Sequence, residues 1–239
     1  MRAWRQLSGA ALAAALTVFL GWTALADDKK DEPMTPAPKG ATVLFDGKDL
    51  SGWTTRGGKE AGWTVQDGYV EVAPGKGGDI MTKDKFGPDF QLHVEFWLPL
   101  MKDAKDQGRA NSGVYLQGRY EIQVLDNYMN ETYADGSVGA LYKILTPDKE
   151  AQAKAIKPPE LWNAYDITFH APRVDDSGKV TQKGKVTVML NGVKVTEGEF
   201  DKVTGGNLDD KLGQPGPLLL QDHGCKVRFR NVWLKPLEK

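Results

Sequence analysis

Between Asn111 and Asp126 the chain reads NSGVYLQGRYEIQVLD, and its apolar residues recur at every second position. Val114 and Leu116 alternate with polar or small residues, and Ile122 and Val124 do the same beyond Gly118. Period-two alternation marks strands with one buried face, so the segment predicts an antiparallel hairpin. A three-residue loop of Gly118, Arg119 and Tyr120 sets Gln117 opposite Glu121 and Leu116 opposite Ile122. All four apolar residues then share one face, whereas a two-residue Gly-Arg turn would mix the faces. Tyr115, Gln117, Glu121 and Gln123 line the other surface. An aromatic ring, two amides and a carboxylate side by side suit a sugar, which offers a ring to stack and hydroxyls to bond. The same row also fits an ordinary wet sheet face.

The pattern recurs along the chain. FQLHVEFWLP, from Phe90 to Pro99, predicts a strand with Leu92, Val94 and Phe96 toward a core and Gln91, His93, Glu95 and Trp97 away from it. GWTVQDGYVEVAP predicts a hairpin turning at Asp67-Gly68. KVTVMLNGVKV predicts one turning at Asn191-Gly192, with Val186, Val188, Leu190, Val193 and Val195 on one face. Val43 to Phe45, Ile80-Met81, Trp162 to Phe169 and the closing VRFRNVWLKPL add further strands. Only KEAQAKAIKPP, from Lys149 to Pro159, reads as helix. Short strands at close spacing with turn signals between them predict an all-β sandwich of two antiparallel sheets with one short helix and a cleft on a curved face.

Composition adjusts this picture at the N-terminus. Arg2 and Arg5, an apolar run from about Ala10 to Leu20, and Ala24-Leu25-Ala26 predict a signal peptide spanning residues 1–26. The protein is then secreted or periplasmic, with no stable membrane association after cleavage. Residues 27–40, charged and then proline-rich, predict a disordered leader. Residues 41–239 are left as a single β-sandwich domain. Charge is balanced, 31 basic against 32 acidic residues, which argues against nucleic acid as a partner. The single cysteine, Cys225, excludes an internal disulfide framework and is expected in the interior. Asp126, Asn127, Asn130, Glu131 and Asp135 offer oxygens suited to calcium, although their spacing matches no EF-hand loop.

LFDGKDLSGW, the GWTVQDGYVEV hairpin, FQLHVEFWLP, NSGVYLQGRYEIQVLD, GALY, WNAYDITF, and LQDHG with VRFRNVWLKPL together resemble the 3-keto-disaccharide hydrolase family over about residues 40 to 237. The resemblance implies a concanavalin A-like or laminin-G-like jelly roll acting on oxidised sugars. In such a sugar the ketone at C3 acidifies the hydrogen on C2. A base removes it, the group on C1 leaves, and water adds. The site needs a base, donors at the ketone oxygen and an acid for the leaving oxygen. Glu121, Glu95 and His223 are the candidates for proton transfer. Asn111, Gln123, Gln221 and Arg230 are candidate donors. Tyr115, Gln117, Trp97 and Trp162 complete the substrate-binding set. A divalent metal at the ketone oxygen is compatible with this chemistry, but no cluster among His93, His170 and His223 demands one.

Two other functions fit the same fold. Glu121-x-Gln123-x-x-Asp126 is similar to the carboxylate strand of laminarinase-type β-glucanases. Those need two carboxylates about 5 Å apart, and here the middle position is an amide. A carbohydrate-binding, lectin-like module is the non-catalytic alternative.

Overall fold

The computed structural model describes residues 34–237, so the expected signal peptide and the leader as far as residue 33 lie outside the described residues. Among the described residues fifteen strands and one short α-helix follow in order. The strands are β1 (Thr42–Phe45), β2 (Trp53–Thr55), β3 (Thr64–Gln66), β4 (Tyr69–Glu71), β5 (Ile80–Thr82), β6 (Asp89–Trp97), β7 (Asn111–Leu116) and β8 (Tyr120–Leu125). Helix α1 (Lys149–Ala155) precedes β9 (Trp162–His170), β10 (Arg173–Val174), β11 (Val180–Gln182), β12 (Gly184–Leu190), β13 (Val193–Phe200), β14 (Leu219–Leu220) and β15 (Arg228–Pro236). One sheet of eight strands runs β13-β12-β9-β6-β15-β4-β3, with β1 also on β15; a second of five runs β2-β5-β14-β7-β8. Their pairings are antiparallel throughout. The result is the expected all-β sandwich with a single short helix, of jelly-roll type.

Alternation decides what fills the space between the sheets. Leu92, Val94 and Phe96 of β6 meet Val114, Leu116, Ile122 and Val124 of β7 and β8 in one core, each at most 1% exposed. Tyr165 of β9 spans the sandwich, its hydroxyl donating to the Gln123 carbonyl at 2.5 Å. Helix α1 starts where Asp148 Oδ1 accepts from the Ala151 N–H at 2.8 Å, which satisfies one orphan donor of the first turn. It ends sooner than the sequence suggested, because Ile156 is already extended ahead of Pro158.

The hairpin buries the residues expected of it but in a different register. Leu116 pairs with Tyr120, Val114 with Ile122 and Tyr115 with Glu121. Gln117, expected opposite Glu121, instead occupies the turn with Gly118, both left-handed at φ +53° and +67°. The Arg119 N–H closes the turn on the Leu116 carbonyl at 3.0 Å. Two left-handed residues match the twist of a hairpin. The gain lies in Tyr120, which leaves the loop and buries its ring against Phe169 and Phe200, with centroids 5.4 and 4.9 Å away. The offset is two positions, so the faces survive.

The Asn191-Gly192 turn forms as expected, with a bulge beyond it that keeps Val195 in the core while Val193 is half-buried. Cys225, expected inside, is half-buried in the loop before β15. Over its described part the leader meets the eight-stranded sheet at Thr35. Thr35 donates its N–H to Glu95 Oε1 at 3.2 Å, and its carbonyl accepts from Asn231 Nδ2 at 2.7 Å and Trp233 Nε1 at 3.3 Å. Among the described residues no helix is long and apolar enough to cross a membrane.

Candidate functional site

Each sheet presents one face to the core, so the polar rows of β6 and of β7–β8 lie on opposite outer sides of the sandwich. The sequence named Glu95 with Glu121 and His223 as candidates for one proton-transfer site; the structure separates it from them. Glu121, Tyr115, Gln123, Asn111, Gln221 and His223 line one cavity of about 240 Å³ on the outer face of the five-stranded sheet. Loops carrying Tyr142 and Gly205-Gly206 also line it.

Glu121 is 4% exposed, although it points away from the core. Burial raises its pKa from 4.5 to about 8, because a carboxylate there loses its water; the Tyr115 hydrogen bond offsets part of this and the negative charge of Asp79 adds to it. The Tyr115 hydroxyl lies 2.9 Å from Glu121 Oε2 and 3.1 Å from the Gly205 carbonyl. Burial and the nearby Glu121 raise the phenol's own pKa, so it acts as a donor. Gly113, across the strand pair, explains the NSG sequence. A Cβ there would sit 2.4 Å from Glu121 Oε1, so only glycine lets the carboxyl lie flat on β7. Gly206 is equally tight, its Cβ position 2.6 Å from the Tyr115 hydroxyl.

An amide chain forms one wall. Gln123 Nε2 donates to Asn111 Oδ1 at 3.1 Å, and Asn111 Nδ2 donates to the Gln107 carbonyl at 3.0 Å. Gln107 in turn reaches Thr132 Oγ1 at 2.8 Å and the Gly136 carbonyl at 2.9 Å. At the rim, Arg56 bonds Asp79 and the Gly206 carbonyl, both at 2.6 Å, and fixes the glycine loop over Tyr115. His223 is exposed at the mouth. Gln107, Tyr142, Gly205, Arg56 and Asp79 were missed in the sequence. Tyr142 falls within GALY, and Gly113 was visible as a glycine inside a strand. The rest come from loops without periodicity.

Gln117 is placed elsewhere. It is 1% exposed beneath the chain at Phe86, whose carbonyl accepts from its Nε2 at 3.0 Å. Its position in the turn removes it from the row it was expected to share.

The remaining candidates, Glu95, Arg230, Trp97 and Trp162, sit together on the outer face of the eight-stranded sheet. Arg230 Nε meets Glu95 Oε2 at 2.7 Å and stacks its guanidinium on Trp162 at 4.1 Å. Arg228 covers Trp97 in the same way at 4.1 Å. His93, fully buried, lies 2.6 Å from Asp166 and 3.4 Å from Glu95. Burial disfavours its charge, but those two carboxylates outweigh that and push the ring up to about 9. Burial likewise opposes the Glu95 charge, yet hydrogen bonds from His93, Asn231 and Arg230 hold its carboxyl down at about 2. A carboxylate so tightly paired makes a weak base, and this row reads as an ionic cover on which Thr35 rests.

Of the oxygen-bearing residues in the loop after β8, all but the exposed Glu131 are engaged internally. Asp126 is fully buried against Arg109 and accepts from the Tyr128 N–H at 3.1 Å. Asn127 Oδ1 accepts from the Val138 N–H at 2.7 Å, and Asn130 Oδ1 from the Asp106 N–H at 2.8 Å. Among the described residues no group of three or more His, Cys, Asp or Glu is arranged to hold a metal ion. A larger hollow of about 710 Å³ between α1 and β13 is lined by exposed lysines and glutamates such as Lys154, Lys194, Glu150 and Glu197 and offers no buried titratable group.

The profile of the 3-keto-alpha-glucoside-1,2-lyase-like domain matches residues 40–235, nearly all of the sandwich. The chain belongs to that family. A 3-keto-disaccharide hydrolase of Bacteroides thetaiotaomicron is 25% identical over 83% of this chain and 79% of its own. A crystallised candidate glycosyl hydrolase from Parabacteroides distasonis is 40% identical, with a TM-score of 0.76 over 88% of this chain and 95% of that one. A second from the same organism is 26% identical, with a TM-score of 0.61 over 83% and 94%. Family and architecture therefore agree on a carbohydrate-active sandwich.

Proposed function

We propose that the protein cleaves 3-keto-glycosides or 3-keto-disaccharides in the Glu121 cavity, by elimination followed by hydration. The observation that carries this reading is Glu121 itself, a carboxyl buried at the cavity floor whose proton affinity is raised into the neutral range. Family membership and the Bacteroides relative support the substrate class. The ionised Glu121 removes the proton from C2, and its electrons pass to the ketone oxygen as an enolate. Once Glu121 holds that proton it no longer needs the Tyr115 hydroxyl, which can turn from the carboxyl to the enolate oxygen. The enolate collapses to restore the ketone, a C1–C2 double bond forms, and the C1 oxygen leaves with a proton. His223, at the mouth, stands where a departing group exits. Water then adds its oxygen to C1 and a proton to C2, giving net hydrolysis.

The β-glucanase alternative needs a second carboxylate across from Glu121, and its candidate, Asp126, is buried on Arg109. Export to the periplasm or medium completes the proposal, on the signal-peptide pattern of residues 1–26. The test is incubation of pure protein with a 3-keto-glucoside and with its unoxidised parent, following release of the aglycone. Release from the keto sugar alone is expected, and Glu121→Gln should slow it by at least about a hundredfold. Sugar binding without release from either compound would replace the enzyme with a binding module.

A further inference from the structure

Gln221 follows β14 at the edge of the cavity, and its backbone and one amide proton are committed. Its N–H donates to the Gly113 carbonyl at 3.0 Å, and its own carbonyl accepts from Ser112 Oγ at 2.7 Å. The backbone is thereby pinned to β7. Its Nε2 donates to the Tyr115 hydroxyl at 3.2 Å. Proton counting fixes which way the amide points. Tyr115 has one proton, and Glu121 Oε2 and the Gly205 carbonyl already compete for it. Gln221 must therefore meet the hydroxyl with its nitrogen. What remains is the second Nε2 proton and Oε1, a buried acceptor without a partner. Such atoms are costly, and in a cavity wall they mark where a ligand donor belongs.

The position narrows which donor. Gly113, whose carbonyl holds Gln221, is also the residue on which the Glu121 carboxyl rests. The backbone of Gln221 and the Glu121 carboxyl are thus both seated on one position of β7, and both residues line the cavity. In a 3-keto-glycoside the proton to be abstracted and the 2-hydroxyl are substituents of one carbon. We infer that Gln221 Oε1 accepts a hydrogen bond from the 2-hydroxyl of the sugar, which makes Gln221 a specificity-determining residue for the reaction proposed above, and the inference rests on that reading. A pocket that hydrogen-bonds a hydroxyl rejects an analogue lacking it, because its own acceptor is then left buried and unpaired.

The test compares kcat/KM for a 3-keto-glucoside, its 2-deoxy analogue and its 4-deoxy analogue, in the wild type and in Gln221→Met, which keeps the side chain's length. Intrinsic reactivity differs between the substrates but is common to both proteins, and loss of the Tyr115 contact is common to all substrates. The ratio of ratios isolates the contact. The wild type should prefer the parent over the 2-deoxy sugar by at least about tenfold more than the variant does, with no such difference for the 4-deoxy sugar. Agreement of the 2-deoxy ratios within about twofold, or coupling to the 4-hydroxyl instead, overturns the inference. Should Gln221→Met fold poorly by near-ultraviolet circular dichroism, Gln221→Ala gives the same reading. A wild type that releases no aglycone from the parent refutes the proposed function; one that turns over without coupling refutes this inference alone.

Discussion

Replacing Glu121 by glutamine should change how stability depends on pH, whatever the protein's substrate. In the unfolded chain this carboxyl ionises near its ordinary 4.5, and in the fold near 8. Between those values the folded state holds a proton that the unfolded state has released. Stability therefore falls as pH rises through this window, and levels off above about 8. A rise of about 3.5 in pKa at 1.36 kcal/mol each amounts to about 5 kcal/mol as an upper bound, since local relaxation and water entry reduce it. That compares with a whole stability of about 5–15 kcal/mol for a domain. Glu121→Gln keeps the shape and an oxygen for the Tyr115 hydroxyl but has no charge to bury. Urea unfolding of both proteins from pH 4 to pH 9 is the assay. Subtracting one curve from the other cancels His93, Glu95 and every other shared group. The variant should gain on the wild type by several kcal/mol across the window, and most of the gain should fall between pH 5 and 8. A difference constant within about 0.5 kcal/mol would mean that Glu121 ionises normally and would remove the reason for placing the base there.

The same ionisation sets the rate. With Glu121 as the base, kcat/KM should rise with pH to a plateau above about 8, and a profile that falls through that range would make the carboxyl an acid instead. Gly113→Ala pushes a methyl group into the carboxyl; overpacking of this kind costs about 1–3 kcal/mol, and turnover should drop about as far as in Glu121→Gln, with no further loss when the two are combined. Glu95→Gln removes the carboxylate that Arg230, His93 and Asn231 all meet and should lower the urea midpoint by the equivalent of about 1–3 kcal/mol, while turnover per folded molecule stays near wild type; a hundredfold loss of turnover would return Glu95 to the chemistry. Intact mass of the exported protein should begin at Asp27, and a retained leader in a membrane fraction would contradict the signal-peptide reading.

The two-sheet fold was legible because alternation survives errors of register. Val114, Leu116, Ile122 and Val124 are all in the core although their partners were misassigned, since an offset of two keeps every side chain on its face. The misassignment arose at Gln117, a glutamine held at a backbone angle that favours glycine so that Tyr120 can join an aromatic cluster. Tertiary packing chose the turn, and no local signal announces it. The candidate site was legible in its strand-borne half, Tyr115, Glu121 and Gln123, for the same reason. Period two tells which side of a sheet a residue occupies but not which sheet it belongs to. That is why Glu95 and Arg230, with the same polar-aromatic neighbours, were grouped with Glu121 from the far side of the sandwich. Gln107, Arg56 and Asp79 reach the cavity from loops, where sequence spacing carries no geometry.

The seat of Thr35 has a practical side. Its bonds to Glu95, Asn231 and Trp233 fix the point at which the polypeptide enters the domain, on the outer face of the eight-stranded sheet. Anything spliced ahead of that residue, such as an affinity handle, a fluorescent fusion or a linker to a bead, joins the molecule on the side away from the Glu121 cavity. Immobilisation through the N-terminus should leave the cavity open to solution, whereas coupling through surface lysines would orient the molecules at random. For a sensor chip or a flow reactor the amino end is the attachment point of choice.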